Sequence, residues 1–315
     1  MIFQEYYGEI FSLLSAILWA LAVILFKKSG ESISPIALNP FKNVLAQILF
    51  LITILVLGQP ILQTFDPTGM NGFSSSDYVR LVISGVVGIG VADLLFFKSL
   101  NILGAGFSAI VDTMYSPSVI FFAFLMLGER LKFIQVVGAG LVVLAILFAS
   151  FQFRNLPAPP KEMKYGILLG VLALALMGFG IVLIKPVLNK LPLDFGLQMW
   201  VAGFRLLPGT IFSLIVFFYV SRKRDLITPF YNRKVWFPLV GSSVLGTFLG
   251  MTCWIIGMTY TTASIASILN QTATIFILLF AWMFLKEPIS WRRIIAVILA
   301  LSGVMLVILG DKLTN

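Results

Sequence analysis

The chain has 315 residues, 59% hydrophobic and only 11% charged, and its mean hydropathy is +1.03, which excludes an ordinary soluble domain. It contains no histidine and one cysteine, Cys253; an intrachain disulfide is ruled out, and the commonest general base and metal ligand is missing, so neither a metal nor a cofactor is expected. The net charge of +9 does not indicate a nucleic-acid partner, because the basic residues are scattered over loops, where they contact lipid phosphates or set orientation.

In chain order, apolar stretches of about 20 residues, the length a bilayer core demands, predict membrane helices at 9–27, 35–57, 78–99, 105–127 and 131–151. Five more follow at 165–185, 195–220, 235–257, 263–285 and 291–310. The first reads as a span rather than a cleaved signal, since Glu5 and Glu9 stand where a basic cluster would be and no small-residue cleavage site follows. Residues 58–77 are rich in Pro, Gly, Asn and Ser and read as a loop outside the bilayer. Residues 152–164 carry three prolines and read as a stiff linker. Residues 221–234 form a basic connection, and the remaining turns are tight. The predicted fold is therefore all-α and integral to the membrane, with ten transmembrane helices and no loop long enough for a catalytic domain.

The sequence also repeats. Sliding it 158 positions places Tyr7-Gly8 on Tyr165-Gly166, Lys27 on Lys185, Ser84 on Ser242, Gly88 on Gly246, Asp112 on Asn270 and Glu129 on Glu287. This divides the chain into a first repeat (1–151), the linker (152–164) and a second repeat (165–315). A unit with five spans must cross the bilayer in the opposite sense when it recurs. Two inverted five-helix repeats around a midplane site are the architecture of alternating-access carriers.

Charged groups in hydrocarbon need a reason, because each costs roughly 2.5–3.5 kcal/mol on insertion scales. Asp93 lies eight residues before the turn near Asn101–Gly104 and Asp112 eight residues after it, so both carboxylates sit about 12 Å below one surface. Lys42, seven residues past Pro35, comes to similar depth. One reading makes the three a structural charge pairing; the other makes Asp93 and Asp112 proton-coupling candidates, since adjacent acids raise one another's pKa. Their repeat partners are Met251 and Asn270, so the shared fold does not demand the acids. Polar stripes run along the fourth span (Ser108, Asp112, Tyr115, Ser116) and the ninth (Ser267, Asn270, Gln271, Thr274). Such residues serve as interhelical glue or line a site. Pro117 removes the hydrogen bond to the Thr113 carbonyl and predicts a kink there. Lys42 and Arg205, each following a phenylalanine in the second span of its half, are candidate substrate ligands with Tyr115, Asn270 and Gln271. A guanidinium stays charged and grips a carboxylate through two parallel hydrogen bonds.

The segment 126–148, with Gly128-Glu129 closing the fourth span and Gln135-x-x-Gly138 opening the fifth, is similar to the signature ending an EamA domain. Trp19 and Lys27 resemble the family's opening, and Phe41-Lys42 and Phe204-Arg205 its second helix; the family usually has arginine where Lys42 stands. The resemblance covers nearly the whole chain. It implies a drug/metabolite transporter in the inner (plasma) membrane, exporting or exchanging a small molecule; the resemblance names no substrate, and the matched cations Lys42 and Arg205 point to an amino acid or other carboxylate-bearing metabolite. It also implies cytoplasmic termini, whereas Lys and Arg in loops after odd-numbered spans outnumber those in the termini and in loops after even-numbered spans eleven to five, which places the termini outside. A passive channel is the alternative, and an intramembrane enzyme built on Asp93 and Asp112 a more distant one. An enzyme lacks support: there is no Gly-x-Ser-x-Gly elbow and no histidine.

Overall fold

A backbone in hydrocarbon must satisfy its own polar groups, and every apolar run described here is helical. The computed structural model describes residues 6–63, 66, 72–150, 159–191, 194–219, 223–285 and 291–313. The first repeat contains α1 (Tyr7–Gly30), α2 (Pro35–Val56), α3 (Ser75–Gly85), a π-helical segment (Val86–Val91), α4 (Ala92–Asp112), α5 (Tyr115–Leu127) and α6 (Phe133–Ser150). The second contains α7 (Pro160–Lys190), α8 (Phe195–Tyr219), the short α9 (Lys223–Ile227), α10 (Arg233–Ser242), a second π-helical segment (Ser243–Gly250), α11 (Met251–Tyr260), α12 (Ala263–Asn270), α13 (Ala273–Leu285) and α14 (Trp291–Leu313). Among the described residues six helices are long and apolar enough to cross a membrane, and three apolar helices are shorter. Large apolar side chains face outward, Val56 at 80% and Leu168 at 65% exposure. A soluble protein would hide them; here they meet lipid.

The helix ends follow local chemistry. Ser74 and Asp77 form a reciprocal capping box at the start of α3, and Lys190 reaches Asp77 at 3.1 Å. Pro35 opens α2, where a missing N–H costs nothing. Gly128 ends α5 with φ +68°; its N–H donates to Phe124 O and that of Glu129 to Ala123 O, a left-handed cap that glycine alone adopts cheaply. The loop after α2 is tied down by Trp200, whose Nε1 donates to Ile61 O at 2.9 Å. Of the linker, 152–158 lie outside the described residues, as do 64–65 and 67–71 of the first loop and Lys286 and Glu287. Pro160–Lys164 form the first turns of α7, because proline fits the first turn of a helix.

Between Ala92 and Asp112 the structure differs from the expected turn at Asn101–Gly104. Helical hydrogen bonding runs through, yet the chain reverses. A Cβ at Gly170 would lie 2.8 Å from Ser99 Oγ and 2.7 Å from Val111 Cγ1, whereas twelve residues of straight helix would separate those residues by about 18 Å.

Packing relies on small residues at crossings, as expected where lipid competes with apolar side chains. A Cβ at Gly138 would lie 2.6 Å from Gly303 O, and one at Gly303 lies 2.6 Å from Gly138 O, so α6 and α14 touch backbone to backbone. The contacts between halves come in pairs 158 positions apart. Gly8 meets Thr261 as Gly166 meets Leu103; Ser12 meets Gly257 as Gly170 meets Ser99; Gly180 meets Gly88 as Ala22 meets Gly246. The two π-helical segments occupy the same positions of the repeat.

Candidate functional site

Between the halves lies a cavity of about 130 Å³. Its floor and walls come from both repeats: Lys42 on α2, Asp93 and Asp112 on α4, Tyr115 on α5, Arg205 on α8 and Asn270 on α12. Both π-helical segments border it, through Gly88 and Ile89 in one and Gly246, Thr247 and Gly250 in the other. Wide helical turns of this kind recur at functional sites. Six of the seven sequence-derived candidates thus come together. Gln271, the seventh, does not line the cavity; it is buried behind the wall.

The cations have different surroundings. Lys42 Nζ sits 2.6 Å from Asp93 Oδ2 and 2.7 Å from Asn43 Oδ1, with the Phe97 ring 5.6 Å away. A buried pair at that distance offsets the desolvation of both charges. Asn39, one turn earlier, donates to the Gly90 carbonyl of the π-helical segment at 3.3 Å, fixing α2 against α4. Arg205 is also buried. Its Nε donates to Ser84 Oγ at 2.7 Å, and Ser84 in turn donates to Gly180 O at 2.5 Å. Among the described residues no carboxylate lies within ion-pair distance of Arg205, and its two terminal nitrogens make no hydrogen bond. Arg205 lines the cavity, with its Nη2 beside the wall residue Gly88. Phe204, beside Arg205, stacks on Trp200 one turn earlier on the same helix, with ring centroids 4.9 Å apart.

The stretches expected as the fourth and ninth spans are each broken. α4 ends at Asp112 and α5 begins at Tyr115; α12 ends at Asn270 and α13 begins at Ala273. These breaks are equivalent in the repeat. Pro117 accompanies the first, but Ile275 stands at its partner position, so proline is not what both breaks share. Gln271 explains how the first is tolerated. Its Nε2 donates to the Asp112 carbonyl at 3.0 Å and its Oε1 accepts from Ser116 N–H at 3.3 Å, replacing partners that a broken helix loses. Asn270 donates to Ser15 Oγ at 3.2 Å, and Ser15 to Gly250 O at 3.0 Å. Among the described residues Asp112 has no cation within ion-pair distance.

Sequence reasoning left several wall residues outside its candidate set. Ser15, Thr247, Met177 and Met251 border the cavity, as do Trp19 and Trp254, the latter 6.2 Å from the Tyr115 ring. The 158-position correspondence held a usable signal: Met251 is the partner of Asp93 and Gly246 of Gly88.

An all-helical, multi-pass membrane protein with a cavity that sets charged side chains among apolar ones between two related halves has the build of a membrane transporter. The EamA-like transporter family model matches residues 6–151 and 164–309, and the chain belongs to that family. An uncharacterized transporter of Archaeoglobus fulgidus is 24% identical over 95% of this chain and 96% of its own length. Protein PecM of Dickeya dadantii is 24% identical over 72% of this chain and 73% of its own. The uncharacterized transporter YetK of Bacillus subtilis is 28% identical over 42% of this chain, a match spanning 38% of that relative. A solved crystal structure superposes with TM-score 0.76 at 16% identity, covering 99% of this chain and 100% of that one, a likeness of fold.

Proposed function

We propose that this chain is a ten-span secondary carrier of two inverted five-helix repeats, moving a small carboxylate-bearing metabolite across the inner membrane by alternating access. Export or exchange is the direction we favour. The observation that carries the substrate class is Arg205. A guanidinium buried beside a cavity, with its paired terminal N–H groups unused among the described residues, is a site for a two-oxygen anion. Lys42 adds positive field but is already paired to Asp93. Tyr115 and Asn270 bound the rest of the pocket, and Gln271 acts through the backbone of the broken span. An amino acid fits this arrangement, with its carboxylate at Arg205 and its ammonium toward Asp112.

Asp112 is the stronger proton-coupling candidate, since Asp93 is committed to Lys42. Two observations support the inverted topology: the paired contacts between halves, and the gathering of Tyr7, Glu129, Lys185 and Tyr260 at one end of the bundle. Ten crossings bring all four to the same face.

The test compares metabolites released by cells producing wild-type chain with those producing Arg205→Lys at equal protein level. Carboxylate-bearing compounds should be enriched with wild type. For whichever compound is enriched, Arg205→Lys should raise apparent Km at least tenfold in proteoliposomes. An unchanged Km with less folded protein would overturn the ligand role. Counterflow of labelled compound separates a carrier from a channel, because only the carrier exchanges against a gradient.

A further inference from the structure

Lys185 is a buried cation that the proposed binding site does not use. It projects from α7, and Nζ donates to the carbonyls of Met258 and, at 2.7 Å, Thr261. These are carbonyls at the end of α11, which lack helical partners and carry the negative end of the helix dipole. Across the same Thr261–Thr262 turn, Glu129 from the first repeat accepts from Ala263 N–H at 3.0 Å, Ser264 N–H at 2.9 Å and Ser264 Oγ at 2.8 Å. That is the positive end of α12. One turn is therefore gripped by a cation at its carbonyl end and an anion at its amide end, and the two grips come from opposite halves. Gly8 packs against the same turn, and Thr261 Oγ1 donates to Glu9 Oε1 at 3.3 Å. At this end of the bundle, the Tyr7 face, the two halves are thus joined through one turn.

The opposite end, the Gly30 face, has the corresponding residues, with the difference that the Leu100 and Leu103 carbonyls lie within the continuous helical hydrogen bonding of α4 and must be freed before a side chain can dock on them. Lys27 is the repeat partner of Lys185, and Leu100 and Leu103 are the partners of Met258 and Thr261. Gly166 packs on Leu103 as Gly8 packs on Thr261. Yet among the described residues Lys27 makes no hydrogen bond to either carbonyl, and its side chain is half-exposed. The repeat is symmetric in sequence at these lysines and asymmetric in bonding.

We propose that Lys185 and Lys27 are alternating latches, Lys185 closing the Tyr7 face in this structure and Lys27 closing the Gly30 face in the opposite state. The exchange is between equivalents: Lys185 leaves the carbonyls of Met258 and Thr261 as Lys27 docks onto those of Leu100 and Leu103. Both lysines are positioning residues that touch no substrate. The proposal rests on the alternating-access reading above.

The test needs no substrate. In a Cys253→Ser background, Met251→Cys places one thiol on the cavity wall, and a membrane-impermeant maleimide is applied to right-side-out and to inside-out vesicles. Lys185→Gln should raise labelling from the Tyr7 face about tenfold and lower it from the Gly30 face. Lys27→Gln should move both rates the other way. Opposite shifts from the two variants are a signature that general loosening does not produce, since loosening raises both rates. Shifts in the same direction, or none, would overturn the latch and leave the Arg205 reading standing. Rapid labelling from both faces of the unmutated chain would instead defeat alternating access itself. If Lys185→Gln does not fold, Lys27→Gln decides alone, because its side chain makes no such bond in this state and its removal costs the present fold little.

Discussion

Lys42 and Asp93 show how much one buried charge depends on another. At 2.6 Å each is the other's principal compensation, so removing one strands its partner. Lys42→Met should lower stability by about 3 kcal/mol, read as a depressed melting temperature in detergent, and Lys42→Met/Asp93→Asn should recover most of it. If the double variant melts no higher than the single, the pair is not the source of the loss. Gly128 gives a smaller, sharper case. Its φ of +68° is strained for any residue with a Cβ, so Gly128→Ala should cost about 1 kcal/mol. Glu129 must also turn back toward α12 from that cap, and a shift in the cap shifts its carboxylate. The Gly-Glu pair was visible in the sequence as a motif; that its glutamate caps a helix of the other half was not, because nothing local in the chain names a partner 134 positions away.

At the scale of elements, the paired breaks between α4 and α5 and between α12 and α13 border the site. Pro117 made the first foreseeable, whereas the second lacks proline and had no sequence signal beyond its polar stripe. Three-dimensional context supplies it: Ser267 Oγ lies 3.4 Å from Ser116 Oγ, and Gln271 serves the backbone of the first break. Gln271→Leu should leave Asp112 O and Ser116 N–H without partners, at about 1–3 kcal/mol for each. Thermal stability should fall while apparent Km for the transported compound stays within twofold. An unchanged melting temperature with a raised Km would make Gln271 a ligand instead. Asp112→Asn tests the neighbouring carboxylate: uphill transport should stop while exchange persists, because exchange needs no net proton movement. Retention of uphill transport would make Asp112 structural.

At the scale of the whole molecule, the repeat and the apolar runs were legible because they follow from two requirements a membrane places on any chain, segment length and backbone satisfaction. The meeting of Lys42, Asp93 and Asp112 at one cavity was legible in part: the expectation combined helical rise with a turn at Asn101–Gly104, where helical hydrogen bonding instead runs through. Pairing was not, since rise gives height and says nothing of which helix faces which. The two π-helical segments decide that facing. A wide turn takes up extra residues without ending the helix, so everything after it is reset in phase relative to everything before. With 3.6 residues to a turn, deleting a single residue from Val86–Val91 without the wide turn tightening to absorb the loss would swing Asp93 by about 100°, off the cavity and away from Lys42. The composition of the helix would hardly change, and its hydropathy would not reveal the loss. Homologous chains that differ by one residue in this segment should therefore differ in what they carry rather than in whether they fold, an insertion or deletion acting here as a change of pocket chemistry.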